Sequence, residues 1–404
     1  MRQETPDGRT GRDARCPAHH LPEDPGSLVD PYSALEDLRG TGPVVRVRLY
    51  GRFDVWWVTS YAAAVAALES PDLASDQRCV HPDLAEHVSP MRLGLIDKDP
   101  PDHTRLRTEV LRALSGDLPT FRRHAEARCA ELVDALVPQC STDLLPALIE
   151  PLVDETTGAF LGLPQRVDTA LRTAADRLLR PMASIDARRQ ILEARLALRR
   201  HVRTGPPPGS GHRTAPGLRG DAPSDEWVDV LLQMYGAGRR STTDFLATLL
   251  LDFLSQEGWS ARCRTPRGRR LVTDEYLRLD GPIVRGVWRF ARADTYLAGT
   301  PIAVGDIVIV SLALADRDPA VFPTPARLDP ERAPNRHLQF GHGTHRCIGV
   351  PLVHALADTL LATLARRFPE ARTPGDDPAH RCGRVSVFRG PARVPAALGS
   401  RRPP

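Results

Sequence analysis

From about Asp225 to Ser255 the chain reads as one long helix, and a helix of that length dominates any fold that contains it. Ser224 is placed to cap it, and Asp225 and Glu226 complement the dipole in its first turn. At 1.5 Å per residue it spans roughly 45 Å, the width of the whole protein. Its middle carries Gly236-Ala237-Gly238. Two glycines inside a helix cost about 1 kcal/mol each relative to Ala. Either something approaches the helix closely there, or the helix breaks or kinks.

The neighbouring segments are mostly helical as well. Apolar residues recur at three and four from Thr104 to Leu136, from Thr142 to Leu161, from Arg166 to Met182 and from Ala187 to Arg203. Ser60 can cap a short helix over Tyr61 to Leu68, and Pro351 suits the first position of a final helix ending near Phe368. Val44 to Leu49 and Phe53 to Val58 predict a hairpin round Tyr50-Gly51-Arg52. Thr295 to Ala303 and Asp306 to Ala313 predict two further strands of a small sheet, joined near Val304-Gly305. Residues 322–336 hold four prolines and predict an ordered meander or loop. Residues 205–223, rich in Pro and Gly, predict a mobile loop, and residues 1–25 are expected to be flexible. The expected fold class is mostly α with a small β-rich region, in one domain over residues 1–404.

Lys+Arg number 54 and Asp+Glu 50, a formal charge of +4 that is too weak to imply nucleic-acid binding. Lys98 is the only lysine, which points to codon bias and not to a basic patch. The seven cysteines lack a CxxC pair and a secreted-scaffold density, so a reducing cytoplasm fits best. Without an apolar run near the length of a membrane span, the protein is expected to be soluble, with no N-terminal anchor.

The densest chemical constellation is Phe340-Gly341-His342-Gly343-Thr344-His345-Arg346-Cys347-Ile348-Gly349. It sets a cysteine just before a helix, where unpaired N–H groups favour a thiolate, and two glycines let backbone pack against a flat partner. Such a thiolate is a soft ligand for iron. The competing readings are a buried free cysteine and a zinc site drawn from His342, His345, Cys347 and His354, although that spacing matches none of the usual zinc frameworks. Neither a catalytic carboxylate pair, a G-x-S-x-G elbow nor a phosphate loop occurs, so hydrolase and kinase readings fall away.

The segment resembles the cysteine-ligand signature of the cytochrome P450 family, F-G-x-G-x-H-x-C-x-G, at Phe340, Gly341, Gly343, His345, Cys347 and Gly349. Other marks of the soluble bacterial branch follow in order along nearly the whole chain. The stretch Asp99 to Arg107 looks like a DPP turn leading into a helix whose His103 and Arg107 meet heme propionates. Arg289 resembles a further propionate ligand. Glu275 and Arg278 are similar to the family's E-x-x-R pair, with Arg327 as its third partner, and residues 389–395 are similar to its C-terminal turn. The resemblance implies the P450 fold, heme b with Cys347 on the iron, and oxidation of a small organic substrate, such as a secondary metabolite, by dioxygen. It also implies a separate ferredoxin and ferredoxin reductase as electron donors, since 404 residues leave no room for a fused flavin domain.

One stretch departs from the family. Against A-G-x-[acid]-T-T the long helix reads Ala237-Gly238-Arg239-Arg240-Ser241-Thr242, with a fixed cation in place of the acid and serine in place of the first threonine. In the family that acid and hydroxyl relay protons, which an arginine cannot deliver. Arg240 could pair with Asp244 as a purely structural swap. Arg240 or Arg239 could instead anchor a carboxylate or amide of the substrate. Alternatively the enzyme could couple aromatic groups, as in a cyclic dipeptide or short peptide, without inserting oxygen. A non-catalytic heme carrier is a further alternative. Segments 75–97 and 170–204, Pro282 to Val287 and Val387-Phe388 are expected to complete the pocket.

Overall fold

The computed structural model describes residues 19–20, 31–49, 53–87, 94–138, 140–163, 172–173, 189, 192–193, 195–199, 225–373 and 388–403. The Ser224 cap, the 205–223 loop, most of the N-terminal 25 residues and most of the helices expected at Arg166–Met182 and Ala187–Arg203 lie outside them.

After β1 (His19–His20) and α1 (Pro31–Arg39), strands β2 (Val44–Leu49) and β3 (Phe53–Val58) pair with the expected bounds, from Val44 opposite Val58 to Leu49 opposite Phe53. Val45, Val47 and Leu49 turn inward, while Arg46 and Arg48 turn out to Asp54, each at 2.7 Å. Helix α2 (Tyr61–Glu69) begins as predicted, with the Ala63 N–H donating to Ser60 Oγ. Strand β4 (Leu73–Ala74) precedes α3 (Asp102–Ala135), which continues through Pro119.

The helix expected from Thr142 to Leu161 starts late. Residues Ser141–Asp143 form strand β5, Leu145–Ile149 one π-helical turn, and only Glu150–Phe160 the α-helix α4. The cause is Asp143, whose Oδ1 accepts from the N–H groups of Leu145 at 3.1 Å and Val394 at 2.8 Å. That carboxylate competes with the helix for the backbone and ties the strand to the C-terminal segment.

The long helix α5 (Asp225–Phe253) follows, then α6 (Trp259–Arg262) and α7 (Pro266–Asp280), the last capped by Thr265. Strand β6 (Val287–Ala291), which the periodicity did not predict, is succeeded by β7 (Thr295–Leu297), β8 (Thr300–Ile302) and β9 (Ile307–Val310). The expected single sheet of 295–313 is corrected here: β7 and β8 form their own hairpin, whereas β9 joins a six-stranded sheet ordered β1-β2-β3-β9-β6-β4. The all-apolar β9 is buried at every position, which suits an interior strand, while Tyr296 of β7 stands exposed. Leu312 and Ala313, expected in the strand, open helix α8 (Leu312–Ala315) because Ser311 caps it.

The proline-rich 322–336 segment has no regular element, as expected. Helix α9 (Val350–Arg367) starts with Val350, placing Pro351 second, and β10 (Pro395–Ala397) pairs with β5. The core forms round α5. Phe245, Leu249 and Phe253 pack with Cys129 of α3 and with Leu356 and Leu360 of α9, while Trp227, Leu231 and Tyr235 pack with Leu106 and Val110.

Candidate active site

Gly341 and Gly343 both adopt φ of +67°, and a Cβ on Gly343 would stand 3.1 Å from the Leu68 carbonyl, so the turn above α9 requires glycine there. The turn folds the chain back until the Cys347 N–H donates to the Phe340 carbonyl at 2.7 Å. Gly349 is the N-cap of α9, and its N–H donates to Cys347 Sγ at 3.3 Å. Packed protein around the sulfur pushes the thiol pKa up, against the pull of the Gly349 amide, the Arg107 and Arg346 guanidinium groups and the Val350 amide. The side chain is nevertheless open to solvent on one side.

Four predicted residues gather beside it. His103, in the first turn of α3, is 1% exposed and lies against His345 in a tilted ring contact, centroids 4.1 Å apart. Burial, with the charges of His345 and Arg107, holds His103 down to about 4. Its Nδ1 is enclosed with no partner among the described residues. Arg289 on β6 is buried, which lowers it to about 10, and its one described bond runs to the neighbouring Trp288 carbonyl. Arg107 is half-buried and also lowered by burial.

His345 lies 3.6 Å from Asp99, whose carboxylate accepts from the N–H groups of Ser75 and Asp76 and from Arg292. Sequence reading used Asp99 only as the start of a turn and missed this tether. The converging donors, with no protein carboxylate bonded to His103, Arg107 or Arg289 among the described residues, fit a flat ligand that carries two carboxylates and offers a metal to the sulfur. The zinc reading does not fit. His342 is bonded to Glu69 and His354 to Asp274, both at 2.8 Å, and no group of three or more potential ligands is placed to hold a metal among the described residues.

Along α5 from Tyr235 to Leu251, only Ala237, Gly238 and Ser241 keep access to open space, and no described residue, the helix's own backbone aside, lies within 4 Å of where a Gly238 Cβ would be. They share one helix face. The helix runs on through both glycines, which overturns the expected break, and no described residue makes the expected close approach at Gly238. Ser241 Oγ donates to the Ala237 carbonyl at 2.6 Å, and Thr242 is buried beside it.

The adjacent arginines diverge, as 100° per residue requires. Arg240 Nε donates to Asp244 Oδ2 at 2.6 Å, the pairing the sequence spacing offered. Arg239 turns away to Asp154 of α4 at 3.3 Å, and Asp154 also holds Arg172 at 3.0 Å. Neither distant pair was readable from spacing.

Behind the cysteine turn Glu275 and Arg278 are fully buried, joined at 2.8 and 2.9 Å. The expected third partner is corrected: Arg327 is exposed and contributes only its carbonyl to Arg278, at 3.3 Å. Arg332 occupies the position instead, its Nε 3.2 and 3.3 Å from the two Glu275 oxygens, and Asn335 adds a bond at 3.1 Å. Of the expected pocket segments, residues 88–93, Val387 and most of 170–204 lie outside the described residues.

A buried helix with one open face and a cysteine turn ringed by cationic donors form the arrangement of a heme-binding oxidoreductase. The cytochrome P450 family profile matches residues 270–392. The cytochrome P450 monooxygenase PikC of Streptomyces venezuelae is 32% identical over 357 residues, 85% of each chain. Biflaviolin synthase of Streptomyces coelicolor is 30% identical over 387 residues, 92% of this chain and 93% of that one. The ligand-free structure of CYP164A2 from Mycobacterium smegmatis superposes with a TM-score of 0.79 at 27% identity, over 93% of this chain and 98% of that one. The chain belongs to the cytochrome P450 family: it has the P450 fold and is a monooxygenase that works with heme iron. No helix among the described residues is long and apolar enough to cross a membrane.

Proposed function

We propose that this monooxygenase hydroxylates a small secondary metabolite at a heme b group, with Cys347 on the iron and with His103, Arg107, Arg289 and His345 on the propionates. The observation that carries the reading is the convergence of these four groups beside one sulfur, with no protein carboxylate bonded to His103, Arg107 or Arg289 and the enclosed His103 Nδ1 without a partner among the described residues. Relatives support the reaction class. Pentalenic acid synthase of Streptomyces avermitilis and mycinamicin IV hydroxylase/epoxidase of Micromonospora griseorubida are 29% and 28% identical to this chain. Together with PikC they favour oxygenation over coupling of aromatic groups and over a non-catalytic carrier.

Heme iron, when bound, activates dioxygen with two electrons and two protons and supplies one oxygen atom to the substrate. The remaining work falls to the chain. Gly349 and Val350 amides spread the negative charge of the sulfur, and Phe340, Gly341 and Gly349 shape the turn that presents it. The Ala237, Gly238 and Ser241 face forms a wall for the substrate, kept clear where Gly238 lacks a side chain. Ser241 Oγ–H, once turned from the Ala237 carbonyl, holds a proton at the open face. Arg240 stays tied to Asp244, so proton transfer falls to Ser241 and water. Electrons come from a ferredoxin and its reductase in the cytoplasm.

The dithionite-reduced CO complex should show the red-shifted Soret band of thiolate ligation, and Cys347→His should abolish it. Turnover in labelled dioxygen should place one labelled atom in the product. A Cys347→Ala protein with the same band, or a product lighter by two hydrogens and without label, would overturn the reading.

A further inference from the structure

We propose that Asp274 is a positioning residue for the Cys347 turn, acting through His354 and His337; the inference rests on the reading of Cys347 as the iron ligand. Asp274 adjoins Glu275 on α7 but faces a different neighbour, because one residue turns a helix by 100°. Its Oδ1 lies 2.8 Å from His354 Nε2 and 3.8 Å from His337 Nε2, and its Oδ2 accepts from Arg270 at 2.7 Å. His337 precedes the cysteine turn and His354 follows it, so one carboxylate is bonded to one end and lies within ion-pair range of the other. Both imidazoles are 8% exposed.

Two routes lead from this carboxylate to the sulfur. His354 Nδ1 meets the Val350 carbonyl at 3.1 Å, and the Val350 and Gly349 amides are the donors to Cys347 Sγ. On the other side the Phe340 ring lies between the imidazoles, 5.6 Å from His337 and 5.5 Å from His354, and the Phe340 carbonyl accepts the Cys347 N–H. Moving either histidine therefore moves a hydrogen bond made by the cysteine or its sulfur. Partners that orient metal ligands tune the metal as well as hold it.

A plain structural link between the same helices already exists and serves as the comparison. Arg269 of α7 pairs with Asp358 of α9 at 2.6 Å, away from the cysteine turn. If Asp274 only ties α7 to α9, removing either acid should have the same kind of effect.

The test uses the full-length holoenzyme. His354→Phe keeps a ring against Phe340 and removes both bonds; Asp274→Leu removes the anchor, Asp274→Glu keeps an acid, and Asp358→Asn is the control. Amide hydrogen exchange over residues 340–350 should quicken tenfold or more in His354→Phe and Asp274→Leu, with Asp274→Glu nearer wild type. The heme midpoint potential should move to more negative values in the first two, since N–H···S bonds withdraw charge from the sulfur. Asp358→Asn should change neither. Unchanged exchange and potential in His354→Phe, with only a lower melting temperature, would overturn the proposal, and that variant decides if Asp274→Leu does not fold. A wild-type holoenzyme without the red-shifted CO band would instead bring down the ligand reading, and the exchange rates would still decide whether Asp274 positions the turn.

Discussion

Arg240 and Asp244 close a 2.6 Å ion pair one turn apart on α5, with side chains only 7% and 6% exposed. A Cβ on Gly390 would stand 2.6 Å from that of Asp244, so the C-terminal turn clamps the acid in place. Removing one partner of a buried pair costs about 3–5 kcal/mol. We predict that loss for Arg240→Met by denaturant unfolding, and recovery of at least half of it in Arg240→Met/Asp244→Leu. A double variant as unstable as the single one would show that the pair is more than a structural exchange.

Arg332 and Arg327 should separate sharply. Arg332→Ala leaves Glu275 with an unmet part of its charge in a buried site, and a loss of about 2 kcal/mol or more is expected. Arg327 offers only a backbone carbonyl, so Arg327→Ala should stay within about 0.5 kcal/mol. Thermal melts of the two proteins side by side decide the matter.

Under the proposed assignment, heme retention should depend on the cationic donors. A charged hydrogen bond in a site like that of Arg289 contributes about 1.5–3 kcal/mol. Arg107→Ala/Arg289→Ala should therefore lose heme to apomyoglobin at least tenfold faster than wild type. Equal rates would place both arginines away from the propionates.

Acid should weaken the chain freed of its heme through His103. Its folded pKa is lowered from 6.5 to about 4 by burial and the charges of His345 and Arg107. Above pH 6.5 the ring is neutral in both states. As pH falls from 6.5 to 4 the unfolded chain binds a proton that the fold refuses, so stability declines and then levels off. At about 1.4 kcal/mol per pKa unit, the decline is on the order of 3 kcal/mol. His103→Gln should remove that decline, measured by urea unfolding at pH 7 and pH 4.

Ser241→Ala should uncouple the enzyme. With Arg240 held by Asp244, loss of the hydroxyl should cut product formed per oxygen consumed about tenfold or more, within the range of a general-acid contribution. Oxygen uptake should persist. An unchanged ratio of product to oxygen would show that water alone delivers the protons.

The parts legible in the sequence were those whose determinants are local. The β2–β3 hairpin follows from alternation, the start of α2 from Ser60, the Arg240–Asp244 pair from a four-residue spacing, and the cysteine turn from one contiguous motif. What spacing could not supply were partners distant in the chain: Arg332 to Glu275 across 57 residues, Arg239 to Asp154 across 85, and His354 to Asp274 across 80. Asp143 defeated the helix prediction for the same reason, since Val394, which it bonds, lies 251 residues away. The meander misled for another cause, because a proline-rich stretch has no period from which to choose between Arg327 and Arg332.

The six-stranded sheet also imposes an order on synthesis. Trp56 of β3 donates to Asp306, 250 residues later, and β3 gains its second neighbour only when β9 pairs alongside it. At about 5–20 residues per second the ribosome needs roughly 10–50 s to deliver that neighbour. For that interval the β2–β3 hairpin can emerge complete, yet with the β3 edge uncovered and its inward Phe53, Val55 and Trp57 face without a core. An open, apolar strand edge is a template for pairing with other chains. The edge of β3 is therefore most open to pairing with other chains between completion of β3 and arrival of β9.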